Sequence, residues 1–305
     1  MDLYKLPCQS SLSDLLIPST TMDNSDTVLL DRGAGTGVTI HKHGATITSW
    51  TIEGEEMLFL SSKAIFDKKT PIRGGIPLVF PHFGPWDQGK PKHGFARISE
   101  WSLMAAPVVD SVGDVNAAFK LEATPETRRV WDFRFALVLQ ISLKESTLDL
   151  TLTVNNLDDK PFSFTALLHN YLRLSDISAV SISGLRHLDY KDSLDNEKIV
   201  KETSSLLRIA GPVDRIYVDS PRSHLISDEG KNSSLSLTKS ASLKDVVVWT
   251  PWVEGARGLK DMEDDEYKQF VCVESGIVSE QVELAAGQSF VATQSLTKSP
   301  IMNVQ

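Results

Sequence analysis

A glycine- and proline-rich segment in the first third of the chain carries a cluster of basic side chains. It runs RGGIPLVFPHFGPW from Arg73 and continues as KHGFAR over residues 92–97. Glycine and proline at this density predict a folded loop whose backbone can approach a ligand closely. Arg73, Lys92, His93 and Arg97 place donors around the loop, and a guanidinium binds phosphate or sugar hydroxyls through its planar fork. Each residue alone would favour a solvated surface loop, but the clustering favours a binding loop.

A histidine follows an apolar stretch in the middle of the chain. His169 comes directly after residues 162–168, within the sequence LHNYL. A histidine in such a position is usually a hydrogen-bonded core residue. The functional alternative is a general acid, since imidazole titrates near neutral pH. The residues alone leave both interpretations open.

A carboxylate ends a second apolar stretch. Glu274 follows residues 270–273 in the sequence FVCVESG, and the glycine predicts a turn shortly after it. The carboxylate is then either solvated at the mouth of a strand or half-buried and aimed into a cavity. Half-burial would raise its pKa and make it a stronger base. The sequence favours neither alternative.

Three further patterns indicate no chemistry. Residues 33–37 (GAGTG) lack the spacing of the dinucleotide-binding fingerprint and lead into a β pattern, so they predict a hairpin turn. The acidic run at residues 261–266 (DMEDDE) is typical of a solvated loop. His41 and His43 would share one face of a strand. We expect no metal there, because no third ligand is nearby.

The elements that must position these residues are strands. Apolar residues alternate with mostly different residues in two runs, 135–143 and 148–154, and further short runs occur at 117–121, 180–182, 235–237, 246–249, 270–273 and 290–292. Such runs, separated by Gly, Pro, Asn and Asp, are typical of strands and hairpins. The sequence contains no amphipathic helical pattern longer than two or three turns. We therefore predict an all-β fold, a large antiparallel β-sandwich with a few short helical turns.

The organisation of the chain is simple. Residues 1–25 are rich in Ser, Thr and Pro and lack periodicity, so we interpret them as a partly irregular N-terminal extension. No linker-like change of composition and no fixed repeat divides the remainder. We predict that residues 26–303 form a single catalytic domain.

Composition limits the possible partners. The 305 residues carry a net charge of −9, which argues against nucleic acid and anionic membranes. A local cluster of basic residues can still hold a phosphate. Cys8 and Cys272 indicate neither a disulfide framework nor, by themselves, a zinc site. No apolar stretch approaches the ~20 residues that span a bilayer, and the first residues lack a secretory pattern. We expect a cytoplasmic monomer.

The motifs, taken in order, resemble those of a known family. They are RGGIPLVFPHFG, HGFAR with a tryptophan four residues on, LHNYL with SDI, VDRIY, VVWTPW and VCVES. In this order they resemble the glucose-6-phosphate 1-epimerase (hexose-6-phosphate mutarotase) branch of the aldose 1-epimerase family. The similarity covers essentially the whole predicted domain. The ordered combination is specific, whereas no single motif would be.

The resemblance implies a galactose-mutarotase-like β-supersandwich, with a general acid at His169 and a general base at Glu274. It implies contacts with a sugar phosphate from a further set of residues: Arg73, Lys92, His93, Arg97 and Asp214. Relatives often carry Gln where this chain has Lys92, Asn where it has Ile98, and Thr or Ser where it has Asn170. These departures bear on substrate preference and leave the acid, the base and the arginines in place.

The implied reaction needs an acid and a base but no metal ion or cofactor. An anomer inverts only if the hemiacetal opens, so a base must deprotonate the C1 hydroxyl while an acid protonates the ring oxygen O5. Arginines that anchor a 6-phosphate would place C1 between the two groups. Two alternatives stay open: a mutarotase for unphosphorylated hexose, and a non-catalytic sugar-binding protein on the same scaffold. A hydrolase or lyase would normally need a carboxylate pair or a metal.

Overall fold

The chain folds into strands and short helical turns. The computed structural model describes residues 25–87 and 89–301, so the predicted N-terminal extension lies outside the described residues except for Ser25. The two α-helices have six residues each. Three 3-10 turns occur at Ala96–Ile98, Ile177–Ala179 and Glu266–Gln269. None of the helices in these two stretches has the length and apolar character needed to cross a membrane.

The elements follow one another in chain order. The first are β1 (Thr27–Gly33), β2 (Thr36–His41), β3 (Thr46–Ile52), β4 (Glu55–Glu56), β5 (Leu78–Val79), β6 (Ser102–Leu103) and β7 (Val108–Val109). Next come β8 (Val115–Glu122), α1 (Pro125–Val130), β9 (Phe135–Leu143), β10 (Thr147–Asn156), β11 (Phe162–Leu168), β12 (Tyr171–Arg173) and β13 (Val180–Ser183). They are followed by β14 (Asp189–Asp192), β15 (Lys198–Lys201), β16 (Leu206–Arg208), β17 (Val213–Tyr217), β18 (Ser223–Asp228) and β19 (Ser233–Lys239). The last are β20 (Asp245–Thr250), α2 (Trp252–Arg257), β21 (Phe270–Leu284) and β22 (Ser289–Pro300).

The strands of the described residues form three sheets. The smallest has four strands in the order β1-β2-β3-β4. The largest has ten, in the order β16-β13-β18-β19-β22-β10-β9-β8-β6, with β7 beside β8. The third has eight, in the order β15-β14-β17-β20-β21-β11-β5, with β12 beside β21. The largest core cluster takes buried side chains from all three sheets, so the sheets pack around a shared apolar layer as predicted.

The alternating runs and the further short runs of the sequence all lie within strands. In β10, side chains alternate between buried and half-buried along the strand, and Leu148, Leu150, Leu152 and Val154 point into the core. This alternation follows from the pleat, which turns successive side chains to opposite faces. The GAGTG segment lies at the antiparallel turn between β1 and β2, which confirms the predicted hairpin.

The eight-stranded sheet is covered on both faces, which explains the continuous apolar runs of its central strands. In β21, Val271 and Val273 point into the main core, whereas Cys272 points to the opposite face and packs in a separate cluster. In β20, Val246 and Val248 likewise face the main core. The second face of this sheet carries the candidate site.

Candidate active site

Two rows of paired residues lie on the second face of the eight-stranded sheet. One row crosses β14, β17, β20 and β21 through Lys191, Ile216, Val247 and Glu274. The other crosses β17, β20, β21 and β12 through Asp214, Trp249, Cys272 and Tyr171. Side chains two residues apart on a strand point to the same face. Both rows therefore face the same side. The first row, with Asp214 and Trp249 of the second, lines one cavity, whereas Cys272 and Tyr171 are buried beside it.

The cavity has a volume of about 560 Å³, which is within the usual range for small-molecule sites. The sheet provides one wall, and the basic loop (residues 73–97) provides the other. The cavity brings together all seven residues predicted for the site: Arg73, Lys92, His93, Arg97, His169, Asp214 and Glu274. Lys191, Glu197 and Trp249 also line it.

His169 lies in a two-residue break between β11 and β12. Its backbone N–H donates to the Pro77 carbonyl at 3.0 Å. The next residue, Asn170, is fully buried, and its amide donates to the Val273 carbonyl at 2.8 Å and to Gln294 Oε1 at 2.9 Å. These bonds hold the break rigid, so the imidazole of His169 is aimed into the cavity. His169 is thus buried but is not part of the closed core.

His169 and Glu274 meet although 105 positions (274 − 169) separate them in the sequence. His169 Nδ1 lies 3.2 Å from Glu274 Oε1, and the side chains are 10% and 2% exposed. The contact lacks hydrogen-bond geometry, and Glu274 Oε2 is also without a partner. Tyr171 stacks on the His169 ring with centroids 4.6 Å apart.

Burial shifts the proton affinity of both groups. It lowers the pKa of the His169 imidazole well below its ordinary value, and His93, Arg97 and Arg73 add to this effect. It raises the pKa of the Glu274 carboxyl well above its ordinary value, and Asp214 adds to it. Burial therefore favours the uncharged forms of this pair, a neutral imidazole beside a protonated carboxyl.

The basic loop owes its shape to close backbone contacts. The backbone N–H groups of Phe95 and Ala96 both donate to the Phe80 carbonyl, at 3.0 and 3.2 Å. Gly94 has φ = +73°, and a Cβ there would lie 2.0 Å from the same oxygen. Only glycine fits this position, which lies between His93 and Arg97 in the sequence.

Replacing Gly94 with Ala is expected to destabilise the protein by more than about 3 kcal/mol, because the clash adds to left-handed strain. Gly89→Ala is the matched control, since Gly89 has φ = +82° with nothing within 4 Å of the added Cβ. It should cost only about 1–2 kcal/mol. Urea unfolding of the two variants measures the difference. Equal losses would show that the contact with Phe80 does not shape the loop.

His93 presents a defined tautomer to the cavity. Its Nδ1 accepts from the Gly84 backbone N–H at 3.1 Å, so Nδ1 carries no proton. Burial, followed by Arg97, Lys92 and Arg73, lowers the pKa of His93 to about 2. The ring is therefore neutral with its proton on Nε2, where it can donate a hydrogen bond to a ligand.

The two arginines of the loop differ in their partners. Arg73 Nε donates to Asp261 Oδ2 at 3.1 Å, and Arg73 Nη1 donates to the Tyr171 hydroxyl at 3.0 Å. Tyr171 and then Asp261 raise the pKa of Arg73 against the opposing effect of burial. Arg73 is therefore charged and fixed in place.

Arg97 has no carboxylate partner among the described residues. Its Nη2 donates to the Lys92 carbonyl at 2.9 Å, while its Nε is shielded from solvent without an acceptor. Burial lowers the pKa of Arg97 to about 10. Removing a guanidinium from water without an anion beside it is unfavourable. The surroundings of Arg97 therefore favour binding of an anion.

Three residues important for the site were missed or misread from the sequence. The predicted turn after Glu274 is wrong, because β21 continues to Leu284. Gly276 instead allows close strand packing, since a Cβ there would lie 2.9 Å from the Leu167 side chain. The acidic run at residues 261–266 was interpreted as a solvated loop, but its first and last residues make specific contacts. Asp261 holds Arg73, and Glu266 is buried and accepts from the Ser61 hydroxyl at 2.8 Å.

Other contributors to the cavity gave little signal in the sequence. Trp249 lies edge-on to the His169 ring at 6.0 Å, and its motif VVWTPW was noted only as part of the resemblance. Lys191 and Glu197 belong to the β14–β15 hairpin, which has no distinctive motif. One ring nitrogen of His169, the thiol of Cys272 and a carboxylate oxygen of Glu274 lie within 4.8 Å of one another, a spacing that a metal ion can bridge.

The chain is similar to known proteins over most of its length. The sequence profile of the family described as "Aldose 1-epimerase" matches residues 26–297. A "putative glucose-6-phosphate 1-epimerase" from Cenchrus ciliaris is 36% identical over 269 residues, covering 86% of this chain and 81% of the relative. A protein of the same name from Escherichia coli K12 is 31% identical over 281 residues, covering 91% and 92%.

A solved structure supports the same relationship. The crystal structure of a "putative mutarotase" from Salmonella typhimurium matches with a TM-score of 0.82 and 28% identity, covering 90% of this chain and 91% of that one. This confirms the predicted mutarotase-like β-sandwich. The profile match and the two relatives above 30% identity agree with the ordered motifs. The chain belongs to the aldose 1-epimerase family of mutarotases.

Proposed function

We propose that this mutarotase interconverts the α and β anomers of a hexose 6-phosphate, with glucose 6-phosphate as substrate. The observation that carries the proposal is Arg97, a guanidinium in the cavity without a carboxylate partner among the described residues. A phosphate supplies the missing anion and can accept the donors that Arg97 leaves free. The names of the two relatives support the same substrate.

The cavity offers distinct surroundings to the two ends of such a substrate. Lys92 and Arg97 line one part of it and would bind the phosphate. Trp249 provides an apolar face for the C–H side of the sugar ring. The anomeric end then lies at His169 and Glu274. Binding energy at the phosphate would hold C1 and O5 between these two groups.

The reaction then needs two coordinated proton transfers. The pair starts the reaction with its proton moved from Glu274 to His169, 3.2 Å away. Glu274 then takes the proton of the C1 hydroxyl while His169 gives a proton to O5, and the C1–O5 bond breaks to leave an open aldehyde. Rotation about C1–C2 turns the other face of the carbonyl toward the hydroxyl on C5. The ring closes when the two groups exchange roles: His169 takes its proton back from the C5 hydroxyl, and Glu274 returns the other proton to the oxygen on C1. The net reaction consumes nothing.

The negative charge of the substrate's phosphate would help His169 to act as the acid. Arg97 and Arg73 both lower the pKa of His169. A bound phosphate offsets those cations, so it raises the proton affinity of the imidazole when the acid is needed. A free hexose lacks this effect. The proposal therefore predicts a faster chemical step with the phosphorylated sugar, in addition to tighter binding.

The test is anomer exchange measured by NMR with glucose 6-phosphate and with glucose, at equal enzyme concentration. Spontaneous mutarotation is subtracted in matched samples without protein. We expect exchange to be much faster with glucose 6-phosphate. Equal acceleration of both sugars would favour a mutarotase for unphosphorylated hexose. No acceleration of either would favour a sugar-binding protein without catalytic activity.

Asp214 provides a further prediction for the sugar contacts. It is half-buried, and burial raises its pKa, with Ser193 and Lys92 opposing the shift. We expect its carboxylate to accept hydrogen bonds from sugar hydroxyls. Asp214→Asn should raise KM by about 5- to 30-fold, the loss of roughly 1–2 kcal/mol of charge-assisted hydrogen bonding. It should change kcat by less than threefold and leave the melting temperature intact. Unchanged KM would remove Asp214 from the sugar contacts.

A further inference from the structure

A thiol lies beside the His169–Glu274 pair. Cys272 and Glu274 are two residues apart on β21 and point to the same face of the sheet. Cys272 is also the direct cross-strand neighbour of Tyr171, whose ring stacks on His169. A ligand atom from each of His169, Cys272 and Glu274 lies within 4.8 Å of the other two. The proposed reaction has no use for this thiol.

The polar atoms of this cluster lack partners. His169 Nδ1 and Glu274 Oε2 are shielded from solvent and make no hydrogen bond with any described residue. The two residues are 8% and 1% exposed, so solvent cannot readily satisfy these atoms. Unpartnered buried polar atoms are rare in folded proteins and require an explanation. A ligand bound among them would provide one.

The geometry of the pair suits a tetrahedral metal ion. Two ligands about 2.0–2.1 Å from a tetrahedral zinc ion are separated by about 3.3 Å. The observed distance from His169 Nδ1 to Glu274 Oε1 is 3.2 Å. The thiol of Cys272 lies within 4.8 Å of both atoms, and it would have to approach each to about 3.6 Å, the separation expected for a third tetrahedral ligand. The fourth position would open toward the cavity, because His169 and Glu274 both line it.

We propose that His169, Cys272 and Glu274 form a binding site for a zinc-class divalent cation that excludes the sugar from the cavity. One nitrogen, one sulfur and one carboxylate oxygen form a ligand set that zinc accepts. Magnesium and calcium prefer oxygen ligands and should not bind. On binding, the thiol and the carboxyl release their protons to water as the metal–sulfur and metal–oxygen bonds form. The imidazole binds through a neutral nitrogen.

The metal would inhibit the enzyme reversibly. It would occupy the same nitrogen and carboxylate that the proposed acid–base reaction uses. Inhibition by the metal therefore rests on the proposed function, whereas binding of the metal does not. It should be competitive with the sugar phosphate and reversed by a chelator. In this way the activity would respond to the free zinc concentration without any separate regulatory domain.

The experiment uses the chelator-treated full chain with cobalt as a spectroscopic probe and zinc as the inhibitor. One equivalent of Co²⁺ should produce the near-ultraviolet charge-transfer band of a cobalt–thiolate bond. Cys272→Ser should abolish the band, and Cys272→Ala provides a second variant in case serine perturbs folding. Cys8→Ser is the matched control and should retain it. Zinc should inhibit anomer exchange of wild type at least tenfold more strongly than of either Cys272 variant, and Mg²⁺ should have no effect.

The outcomes separate this proposal from the proposed function. Absence of the cobalt–thiolate band in wild type, or its survival in both Cys272 variants, would overturn the metal site. A band that depends on Cys272, without inhibition by zinc, would support the metal site but overturn exclusion of the sugar by the metal. It would also count against His169 and Glu274 as the acid and base. Inhibition that is equally strong in wild type and in both Cys272 variants would place the inhibitory metal elsewhere.

Discussion

Replacing Glu274 with Gln, or His169 with Asn, is expected to lower kcat for hexose 6-phosphate anomer exchange by about 10²- to 10⁴-fold, the usual contribution of a general acid or base. Glu274→Gln keeps size and polarity, His169→Asn keeps a polar but smaller side chain, and both remove the proton transfer. The double variant should be only slightly slower than the slower single variant, because the acid and the base act as a unit. NMR exchange at saturating substrate measures kcat directly.

The same variants should remain folded. Both wild-type groups are buried, and Glu274 Oε2 has no hydrogen-bond partner. Replacing it with a neutral amide avoids burying an ionisable group, so we expect a melting temperature equal to or above that of wild type. Glu197→Gln is the matched control, since Glu197 lines the same cavity but is exposed. If Glu274→Gln retains activity near that of Glu197→Gln, Glu274 is not the base.

Replacing Arg97 with Ala is expected to lower the ratio of kcat/KM for glucose 6-phosphate over glucose by about 10²-fold. The loss corresponds to about 3 kcal/mol, the contribution of charge-assisted hydrogen bonds from a guanidinium to a phosphate. Wild-type enzyme should also be inhibited competitively by inorganic phosphate, and the variant should lose that inhibition. Kinetics with both sugars, and with phosphate as inhibitor, provide independent measurements of the anion site.

Two variants control for the loss of a partly buried arginine. Arg97→Lys keeps the charge and should recover part of the preference for the phosphorylated sugar. Arg215→Ala removes an arginine of the eight-stranded sheet that is paired with Glu202 at 3.1 Å and does not line the cavity. It should leave the ratio unchanged. Equal losses of activity on both sugars after Arg97→Ala would mean that the phosphate binds elsewhere.

The fold class could be predicted because strand periodicity is local. Residues 135–143 and 148–154 alternate so regularly that the pleat alone determines which side chains face a core. The hairpin at GAGTG could be predicted for the same reason, since turn chemistry depends on a few adjacent residues. Strand order and register depend on pairings such as β10 with β22. These pairings join distant parts of the chain, and no short window of sequence contains them.

The errors have a common physical cause. The glycine after Glu274 was interpreted as a turn because glycine permits turns, but Gly276 lies inside β21 where Leu167 of β11 comes close. The acidic residues Asp261 and Glu266 were interpreted as solvated because carboxylates usually are. Their partners, Arg73 and Ser61, are about 200 positions away, 188 and 205 respectively. Burial of a charge depends on partners that the surrounding sequence does not contain.

The sequence by itself determined the chemical groups of this protein and the local structure that carries them. It contains an imidazole, a carboxylate and a basic glycine-rich loop, among runs of apolar residues that indicate strands. Only the tertiary structure decided which groups meet. It placed His169 3.2 Å from Glu274, paired Arg73 with Asp261 and left Arg97 without a carboxylate partner among the described residues. The physical reason is that proton affinity and ion pairing depend on burial and on neighbours, and packing of distant strands sets both.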